Sequence, residues 1–488
     1  MSHNDLDVLV PLPSREPIGE RPIYAPSSAP HFDNKPEPYT PPPYAPQLPN
    51  TQSAAQGARI DLSLMVAGAL IVICVAAVIA RGGNVGVLLP FFLPLQCLTA
   101  LPIIWGACFM HHTTEPSSTI LLADKDLPIY SVLIPLYKEA NMVPQIYEML
   151  KTLDYPPHKL DVLILLEDDD RETQNAAAAL DWSYFCRVLI VPKSAPRTKP
   201  HACNYGLGFA KGQLLVIYDA EDRPDSQQLR AAASAFHRQP LPLACLQSPL
   251  HIISQDKKWL QRQFAFEYRV LFLFVLPLLT KARLAIPLGG TSNHFRIAVL
   301  RALNGWDAYN LTEDADLGYR LVAGGYTTQI LPYATTENAP TNFKDWFRQR
   351  TRWLSGHIQT WHVHMRHPSA NTQQMGGLNM AAMNIVLATR LMVGPVHCAF
   401  LFLLAYDYMK NGGFGFTLSF ALFFTCIFYA SLVVAALFLM RGHNIMMRLF
   451  LVATLPLYWI LLTPPTLYAC WRMLRRDYRW LKSNHQPY

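Results

Sequence analysis

The chain has 488 residues, of which 51% are hydrophobic and 15% are charged, and its formal net charge is +7. This length allows one sizeable domain together with additional segments. The basic residues gather near the ends of apolar segments, which is typical of membrane-flanking charge and excludes a nucleic-acid-binding stripe. The nine cysteines include no C-x-x-C pair, so the sequence predicts neither a zinc site nor a disulfide framework. The polar part of the chain is therefore expected to lie in a reducing cytosol.

Residues 1–58 contain 13 prolines and almost no apolar periodicity, which predicts a disordered, Pro-rich tail. We interpret it as a tether, and the alternative is a docking segment for an export or regulatory partner protein. No apolar core follows the N-terminus, so no signal peptide is expected. Residues 62–80 and 85–109 each approach the ~20 apolar residues that cross a bilayer, which predicts a transmembrane hairpin over residues 59–110.

Between residues 111 and 370 the pattern changes to short β-rich runs that alternate with helical segments. The β-rich runs cover residues 132–136, 162–166, 188–191 and 214–217, and the helical segments cover 143–153, 201–210 and 226–237. This alternation predicts an α/β domain with a mostly parallel sheet. Ligands of such sheets bind beyond the carboxyl ends of the strands, so polar residues at those ends are functional candidates.

A second membrane block is expected over residues 371–472, followed by a basic tail over 473–488. Its candidate spans are residues 391–408, 416–440 and 449–471, and the Met- and Ala-rich run 376–389 before them is expected to lie along the interface. Three prolines predict that the last span is kinked, interfacial or re-entrant: Pro456, Pro464 and Pro465. Two plus three full crossings would place the basic tail outside, against the positive-inside tendency.

Three acidic groups occupy the positions where ligands are expected. They are Glu167-Asp168-Asp169-Asp170, Asp219-Ala220-Glu221-Asp222 and Thr312-Glu313-Asp314. Asp219 and Glu221 can aim two hard oxygens at one point, and Mg²⁺ or Mn²⁺ favours such ligands and can hold a departing diphosphate. A solvated turn is the alternative for the Asp219 group, and helix capping by Thr312 is the alternative for the third group.

Three further motifs fit the same chemistry. Lys199, in Thr198-Lys199-Pro200 before a helix, can approach a phosphate, and the turn 289–292 lets backbone approach a ligand. In the run 349–353, Trp353 can stack on a sugar while Arg352 lies near a diphosphate. The alternative for this last motif is an interfacial helix with Trp and Arg at the lipid headgroups.

The ordered set of motifs resembles the membrane-integrated family 2 glycosyltransferases, the group that contains cellulose synthase and hyaluronan synthase. The motifs that carry the resemblance are Pro135-x-Tyr137-x-Glu139, Glu167-Asp168, Thr198-Lys199-Pro200, Asp219-x-Glu221, Thr312-Glu313-Asp314 and Gln349-x-x-Arg352-Trp353. The resemblance implies a cytosolic GT-A domain of Rossmann-like α/β fold, flanked by transmembrane helices in a bacterial inner membrane. It also implies inverting transfer from a nucleotide-sugar, with Mg²⁺ or Mn²⁺.

The resemblance also assigns roles to individual residues. The residues implied to hold the nucleotide and its phosphates are Tyr137, Glu139, Asp168 and Lys199, and the residues at the metal motif are Asp219 and Glu221. The residues implied to act in catalysis are Asp314 as general base, Glu313 and Arg352, with Gln349 and Trp353 shaping the acceptor end. The sequence departs from the family pattern in having Glu221 as second acid of the metal motif and Glu167 before Asp168.

Three functions remain open from the sequence. The leading one is elongation of a β-linked polysaccharide from a nucleotide-sugar, and product length separates it from single addition.

 The alternatives are a single addition to a lipid-linked acceptor and a non-catalytic membrane scaffold that recruits partners through the Pro-rich tail. Under the enzyme interpretations the expected partners are a UDP-sugar or other nucleotide-sugar donor, a glycan or glycolipid acceptor and membrane lipid, with no nucleic acid. Deleting residues 1–58 is expected to leave transfer intact in an enzyme and to destroy the function of a scaffold.

Overall fold

The computed structural model describes residues 48–49, 52–56, 121–182, 186–193, 196–253, 258–413, scattered positions from 415 to 434, and 444–475. The predicted hairpin lies outside the described residues, as do most of the Pro-rich tail, much of the predicted span 416–440 and nearly all of the basic tail. Those assignments stay predictions.

Strands and helices alternate through the central part of the chain, as the sequence predicted. The strands are β1 (Tyr130–Leu136), β2 (Leu160–Glu167), β3 (Cys186–Val191), β4 (Leu214–Ile217), β5 (Arg223–Pro224), β6 (Leu243–Gln247), β7 (Leu250–Ile253), β8 (Asn293–Arg296), β9 (Thr327–Ile330) and β10 (Thr335–Asn338). The helices among them are α1 (Val143–Lys151), α2 (Arg171–Ala178), α3 (Lys199–Phe209), α4 (Gln228–Arg238), α5 (Trp259–Val270), α6 (Leu276–Lys281), α7 (Ile297–Ala302) and α8 (Glu313–Ala323). The four predicted strands correspond to β1–β4.

The main sheet has seven strands in the order β3-β2-β1-β4-β8-β6-β9. Strands β1 to β4 are parallel to one another, β6 is parallel to β9, and β8 runs antiparallel to both of its neighbours, β4 and β6. The mostly parallel sheet is therefore confirmed. A second sheet of three short strands, in the order β5-β10-β7, lies beside it and brings β10 close to the segment that follows β4.

The central strands are buried on both faces because alternate side chains enter two separate cores. Val132 and Ile134 of β1 pack in the core that includes Ile146 of α1. Leu133 points to the opposite face and packs in the core that includes Leu207 of α3. Because both faces are covered, these strands are mostly apolar in sequence, and polar residues cluster only near the ends of the strands.

Among the described residues, five helices follow the second sheet: α9 (Phe343–Met365), α10 (Pro368–Met375), α11 (Gly377–Asn411), α12 (Ile445–Leu461) and α13 (Thr463–Leu474). Helix α9 joins the sheet domain to the apolar helices, because its Trp346 packs in one cluster with Phe264 of α5 and Leu455 of α12. Its Leu354 packs with Ala469 of α13. Helix α9 is thus held in place by α5 on one side and by α12 and α13 on the other.

Within the described part of the chain, three helical segments are long and apolar enough to cross a membrane by length and composition: Trp259–Lys281, Gly377–Asn411 and Ile445–Leu474. The last two contain the predicted spans 391–408 and 449–471. The first consists of α5, a five-residue π-helical segment (Leu271–Val275) and α6, and the sequence analysis did not identify it. Its first half carries Arg262, Glu267 and Arg269, which interrupt the apolar pattern.

The structure bears on two predictions about the membrane block. The run 376–389 lies at the beginning of the 35-residue helix α11, and its Met383 and Leu387 pack in one cluster with Ala285 of the sheet domain, while its position along the membrane interface stays a prediction. The predicted interruption of the last span is confirmed. The helix breaks at Leu462, where one helix ends and the next begins with prolines in its first turn.

Candidate active site

A cavity of about 770 Å³ lies at the edge where β1, β2 and β4 end, and the acidic motifs predicted from the sequence meet there. The predicted site residues that line it are Tyr137, Glu139, Lys199, Asp219, Glu221, Glu313, Asp314, Gln349, Arg352 and Trp353. Of the predicted set, only Asp168 is not in this lining, and its neighbour Glu167 is. Residues separated by more than 200 positions in the sequence therefore share one cleft.

The segment after β1 is held by the start of α2. Lys138 adopts a left-handed backbone conformation with φ of 54°, and its N–H donates to the carboxylate of Asp170. The N–H of Glu139 donates to Thr173 Oγ1 at 3.1 Å. These bonds fix the backbone that presents Tyr137 and Glu139 to the cavity.

Arg197 lies across the acidic run that follows β2. Its guanidinium is 3.7 Å from Glu167 Oε2, 3.5 Å from Asp168 Oδ1, and in direct contact with Asp169. Burial, opposed by Arg197, raises the pKa of Glu167 to about 7. Arg197 also lies 5.9 Å from the centre of the Tyr137 ring, so it connects the ends of β1 and β2.

Lys199 lies at the start of α3 and points into the cavity. Its Nζ is 2.5 Å from Asp219 Oδ1 and donates to the carbonyl oxygen of Gly290 at 2.5 Å. Burial opposes its protonation, but Asp219 and then Asp314 and Glu313 raise its pKa well above the usual value. Lys199 is therefore a fixed cation among the carboxylates, in a position where its ammonium group can bind a diphosphate.

Two further acids stand beside Asp219 and Glu221. Asp222 is buried, and its Oδ2 accepts from the N–H of Asp219 at 2.7 Å and from the hydroxyl of Thr291. Glu337 of β10 lines the cavity. Burial and the mutual repulsion of this group of acids raise the pKa values of both Asp222 and Glu337 well above their usual ranges. The group carries more negative charge than Lys199 can neutralise.

This donor set fits a divalent cation, because its oxygens are hard and its negative charge is in excess. Within the described part of the chain, no group of three or more His, Cys, Asp or Glu side chains is arranged to hold a metal ion by itself. Mg²⁺ commonly takes only one or two carboxylates and completes its coordination with phosphate oxygens and water. Asp219 and Glu221 match that arrangement better than a closed protein site.

Asp314 and Glu313 form the first turn of α8, and both are 4% exposed. Trp306 Nε1 donates to Asp314 Oδ1 at 3.2 Å, which leaves the other oxygen for a proton. Burial and the charges of Glu313 and Asp219 raise the pKa of Asp314 well above its usual range, while Lys199 and Trp306 act against this. Such a carboxyl group is a suitable proton acceptor.

Thr312 occupies the N-cap position of α8, but its side chain makes no capping hydrogen bond, so the capping interpretation is wrong for this side chain. Its hydroxyl lies instead 3.4 Å from Thr360 Oγ1 of α9. A Cβ atom at Gly356 would lie 2.5 Å from Thr312, so α9 approaches the start of α8 closely. Leu311 N–H donates to Gln359 Oε1 at 2.9 Å, which adds a second link between α9 and this turn.

Four residues of the run 349–353 line the cavity: Gln349, Arg350, Arg352 and Trp353. Trp353 lies 6.1 Å from the ring of Tyr268 in a tilted arrangement. Arg350 is buried and donates to both oxygens of Glu267 in α5, at 2.7 and 2.5 Å. Arg350 therefore attaches α9 to a candidate membrane helix.

A short piece of the N-terminal tail contacts the loop next to Trp306. Ser53 Oγ and the N–H of Ala54 donate to the two carboxylate oxygens of buried Asp307, at 2.8 and 2.6 Å. Arg366 at the end of α9 donates to the carbonyl oxygen of Ser53 at 2.7 Å. This part of the tail is consequently a component of the folded domain.

Sequence reasoning missed four residues that shape the site: Arg197, Trp306, Asp307 and Glu337. Arg197 directly precedes the predicted Thr198-Lys199-Pro200 motif, and its proximity to four upstream acids could have been inferred from the parallel strand order. Glu337 carried no such signal, because it reaches Asp219 only through the pairing of the small sheet.

Comparisons with known proteins agree with this geometry. Residues 128–356 match the family described as glycosyltransferase like family 2. The chain is 27% identical over 235 residues to the probable glycosyltransferase YdaM of Bacillus subtilis, covering 48% of this chain and 56% of that protein. It is 25% identical over 240 residues to the β-monoglucosyldiacylglycerol synthase of Trichormus variabilis, covering 48% and 50%. The chain thus spans about half the length of these relatives.

A solved structure shares the fold. It is the mannosyltransferase PcManGT from Pyrobaculum calidifontis, determined in complex with GDP-Man and Mn²⁺, with a TM-score of 0.50 and 16% sequence identity. The similarity covers 80% of this chain and 99% of that one. Together with the sheet order and the acids at its edge, these matches show that residues 128–356 are a family 2 glycosyltransferase domain with the GT-A fold.

Proposed function

We propose that the protein transfers a sugar from a nucleotide-sugar to an acceptor hydroxyl at the membrane surface, with inversion at the anomeric carbon. The observation that carries this proposal is the meeting of Lys199, Asp219 and Asp314 in one cavity: a cation, a metal-binding acid and a buried base. These are the groups that a single displacement at a diphosphate-activated sugar requires.

The donor nucleotide is assigned to the ends of β1 and β2. Tyr137, Glu139 and Asp168 lie there with Arg197, and the aromatic ring beside a guanidinium suits a nucleobase and its ribose. The relative solved with GDP-Man uses a nucleotide-sugar, and we assign a UDP-sugar as the first donor to test here. A GDP-sugar is the alternative within the same chemistry.

The diphosphate is assigned to Lys199 and Arg352, with Asp219 and Glu221 as the protein ligands of Mg²⁺ or Mn²⁺. When bound, such an ion supplies positive charge that stabilises the leaving diphosphate. Lys199 Nζ already lies 2.5 Å from Asp219 Oδ1, so only a small movement would bring it from this carboxylate to a phosphate oxygen held beside it. Arg352 faces the acids from α9, close enough that Glu313 and Asp219 oppose the burial that lowers its pKa.

Asp314 is assigned as the general base. It takes the proton of the acceptor hydroxyl while the acceptor oxygen bonds to the anomeric carbon and the bond from that carbon to the diphosphate breaks. The electron pair of the broken bond leaves with the nucleoside diphosphate, whose new charge Lys199 and Arg352 neutralise. Trp306 holds one oxygen of the base in place throughout.

The acceptor side of the cavity favours an amphiphile. Leu271, Phe272 and Leu276, from the candidate membrane helix Trp259–Lys281, line that side. An acceptor whose lipid part lies along these residues can present a hydroxyl to Asp314 without leaving the bilayer. Curated relatives named for the synthesis of monoglucosyldiacylglycerol agree with a glycolipid product.

Elongation of a β-linked polysaccharide is the second candidate, supported by Trp353 at the cavity wall, where a sugar ring can stack. Both candidates place the protein in a bacterial inner membrane with its transferase domain in the cytosol, where nucleotide-sugars are available. The three apolar helices support the membrane location.

The test uses full-length protein purified in detergent and a panel of UDP- and GDP-sugars with Mg²⁺ or Mn²⁺. Release of nucleoside diphosphate that depends on both donor and acceptor supports the proposal, and no turnover with any donor overturns it. Product length separates the two candidates. One sugar per lipid indicates single addition, and a ladder of products indicates polymerisation.

A further inference from the structure

The acceptor side of the cavity contains two polar residues whose role the proposed reaction leaves open. His357 of α9 and Arg390 of α11 line the cavity together with the apolar residues Leu271, Phe272 and Leu276. Arginine in an apolar helix is costly unless its charge meets a partner or a ligand. The question is which group balances the charge of Arg390.

Glu267 lines the cavity and its charge acts on Arg390, but its carboxylate is already engaged. One oxygen accepts from Arg350 at 2.7 Å, and the other accepts from Arg350 at 2.5 Å and from the hydroxyl of Tyr458 at 2.7 Å. The charge of Glu267 is thus balanced by Arg350. Among the described residues, no carboxylate lies within ion-pair distance of Arg390.

The contact that Arg390 does make orients His357. Arg390 Nη1 lies 3.5 Å from His357 Nε2, and because a guanidinium can only donate, Nε2 must be the acceptor. In the neutral ring the proton is then on Nδ1, which is buried and has no hydrogen-bond partner among the described residues. Burial, followed by Arg390 and Arg350, lowers the pKa of His357 well below its usual value, in keeping with a neutral ring.

This pair therefore offers two donors, the Nδ1–H of His357 and the free N–H groups of Arg390, beside an apolar wall. Unpaired donors of this kind suit an anion, and arginine is the side chain that best matches phosphate. The neighbouring Leu271, Phe272 and Leu276 suit an alkyl chain. An anionic headgroup attached to a lipid satisfies both features.

We propose that Arg390 and His357 form a subsite for the phosphate of an anionic lipid acceptor, so that the enzyme prefers a phospholipid hydroxyl over a neutral lipid hydroxyl. This inference rests on the proposed function, and it adds the acceptor class to it. The phosphate of the donor is the other source of the same chemistry, and it must be distinguished by experiment.

The test compares two acceptors with identical acyl chains, phosphatidylglycerol and diacylglycerol, in mixed micelles with the full-length enzyme. Arg390→Met should raise the KM for phosphatidylglycerol by about 10- to 100-fold, the effect of losing a charged hydrogen bond, and change the KM for diacylglycerol less than twofold. Arg390→Lys should recover part of the loss, and Arg475→Met, at an exposed arginine, is the matched control.

A second measurement keeps this inference separate from the proposed reaction. Binding of radiolabelled phosphatidylglycerol to the solubilised protein should weaken in Arg390→Met even if no transfer occurs, whereas binding of UDP and GDP should not change. Weaker nucleotide binding would assign Arg390 to the donor phosphate and overturn the proposal. Equal use of the two lipids by the unaltered enzyme, or equal losses for both in Arg390→Met, would overturn it as well.

Discussion

Replacing Asp314 by Asn tests the assigned base with a minimal change of shape. Asn keeps an oxygen that can accept the hydrogen bond from Trp306 Nε1, which is 3.2 Å from Asp314 Oδ1. It cannot take a proton from the acceptor. The binding of the nucleotide, which is assigned to the ends of β1 and β2, should therefore be preserved.

The expected fall in kcat follows from the role of Asp314 as general base. A positioned general base contributes roughly 10²- to 10⁴-fold to a rate, so we expect kcat to fall by that factor, or about 3 to 5 kcal/mol of barrier. The KM for the donor should change little, because Asp314 lies at the acceptor side of the transferred sugar. A fall in kcat without a change in nucleotide affinity is the expected pattern.

The same substitution should stabilise the fold. The pKa of Asp314 is raised in the folded protein by burial and by Glu313 and Asp219. An acid of this kind contributes stability that is fully present below its unfolded pKa and is lost as the pH rises through its folded pKa. At neutral pH the charged form is therefore a cost, and removing the charge should raise the melting temperature.

The assay measures nucleoside diphosphate release, nucleotide binding by calorimetry and thermal unfolding on Asp314→Asn and on the unaltered protein. Asp181→Asn, at an exposed carboxylate outside the cavity, is the matched control and should leave all three unchanged. Transfer within twofold of the unaltered enzyme in Asp314→Asn would refute the assignment. A lower melting temperature with lost nucleotide binding would show that the residue supports the fold instead.

Three further changes test the surroundings of the base. Glu313→Gln removes a charge that raises the pKa of the base, so the acid limb of the kcat/KM profile should move to lower pH; an unmoved limb would contradict this coupling. Arg350→Met leaves the charge of Glu267 without its ion-pair partner and should lower the free energy of unfolding by about 1 to 3 kcal/mol, since Glu267 is partly exposed and keeps the hydrogen bond from Tyr458; adding Glu267→Gln should restore part of it, as denaturant titration in detergent can show. Ala54→Pro removes the N–H that donates to Asp307 and should lower the melting temperature, corresponding to about 1 to 3 kcal/mol, and an unchanged value would show that this contact is dispensable.

The last of these changes revises an expectation from composition. The Pro-rich tail as a whole was expected to be dispensable for transfer, yet Ser53 and Ala54 hold the two oxygens of Asp307 next to Trp306. Composition cannot reveal such a contact, because it depends on a loop 250 residues away. Deletion up to residue 50 is now the better test of a simple tether, since it keeps these bonds.

The sheet was predictable where local pattern and burial agree. Strands β1, β2 and β4 are parallel and covered on both faces, so they are mostly apolar, and polar residues stand at or soon after their carboxyl ends. That arrangement also brought Asp219 and the acids after β2 to the correct edge. Lys199 was predictable for the same reason, because it begins the helix that follows β3.

Other features depend on contacts that a single sequence does not reveal. Glu337 enters the cavity from the small sheet, and its pairing partners lie in distant segments. The helix Trp259–Lys281 escaped recognition because Arg262, Glu267 and Arg269 break its apolar run, although Glu267 is balanced by Arg350. In both cases a tertiary contact, and not local propensity, decides the outcome.

The anomeric configuration of the product tests the central claim most directly. The proposed mechanism, with one base at Asp314 and one leaving diphosphate, is a single displacement, so it predicts a β-linked product from an α-linked nucleotide-sugar. Proton NMR of the purified product, read from the coupling constant at the anomeric position, is expected to show the β-configuration alone. A retained α-linkage would contradict the displacement by a hydroxyl that Asp314 activates.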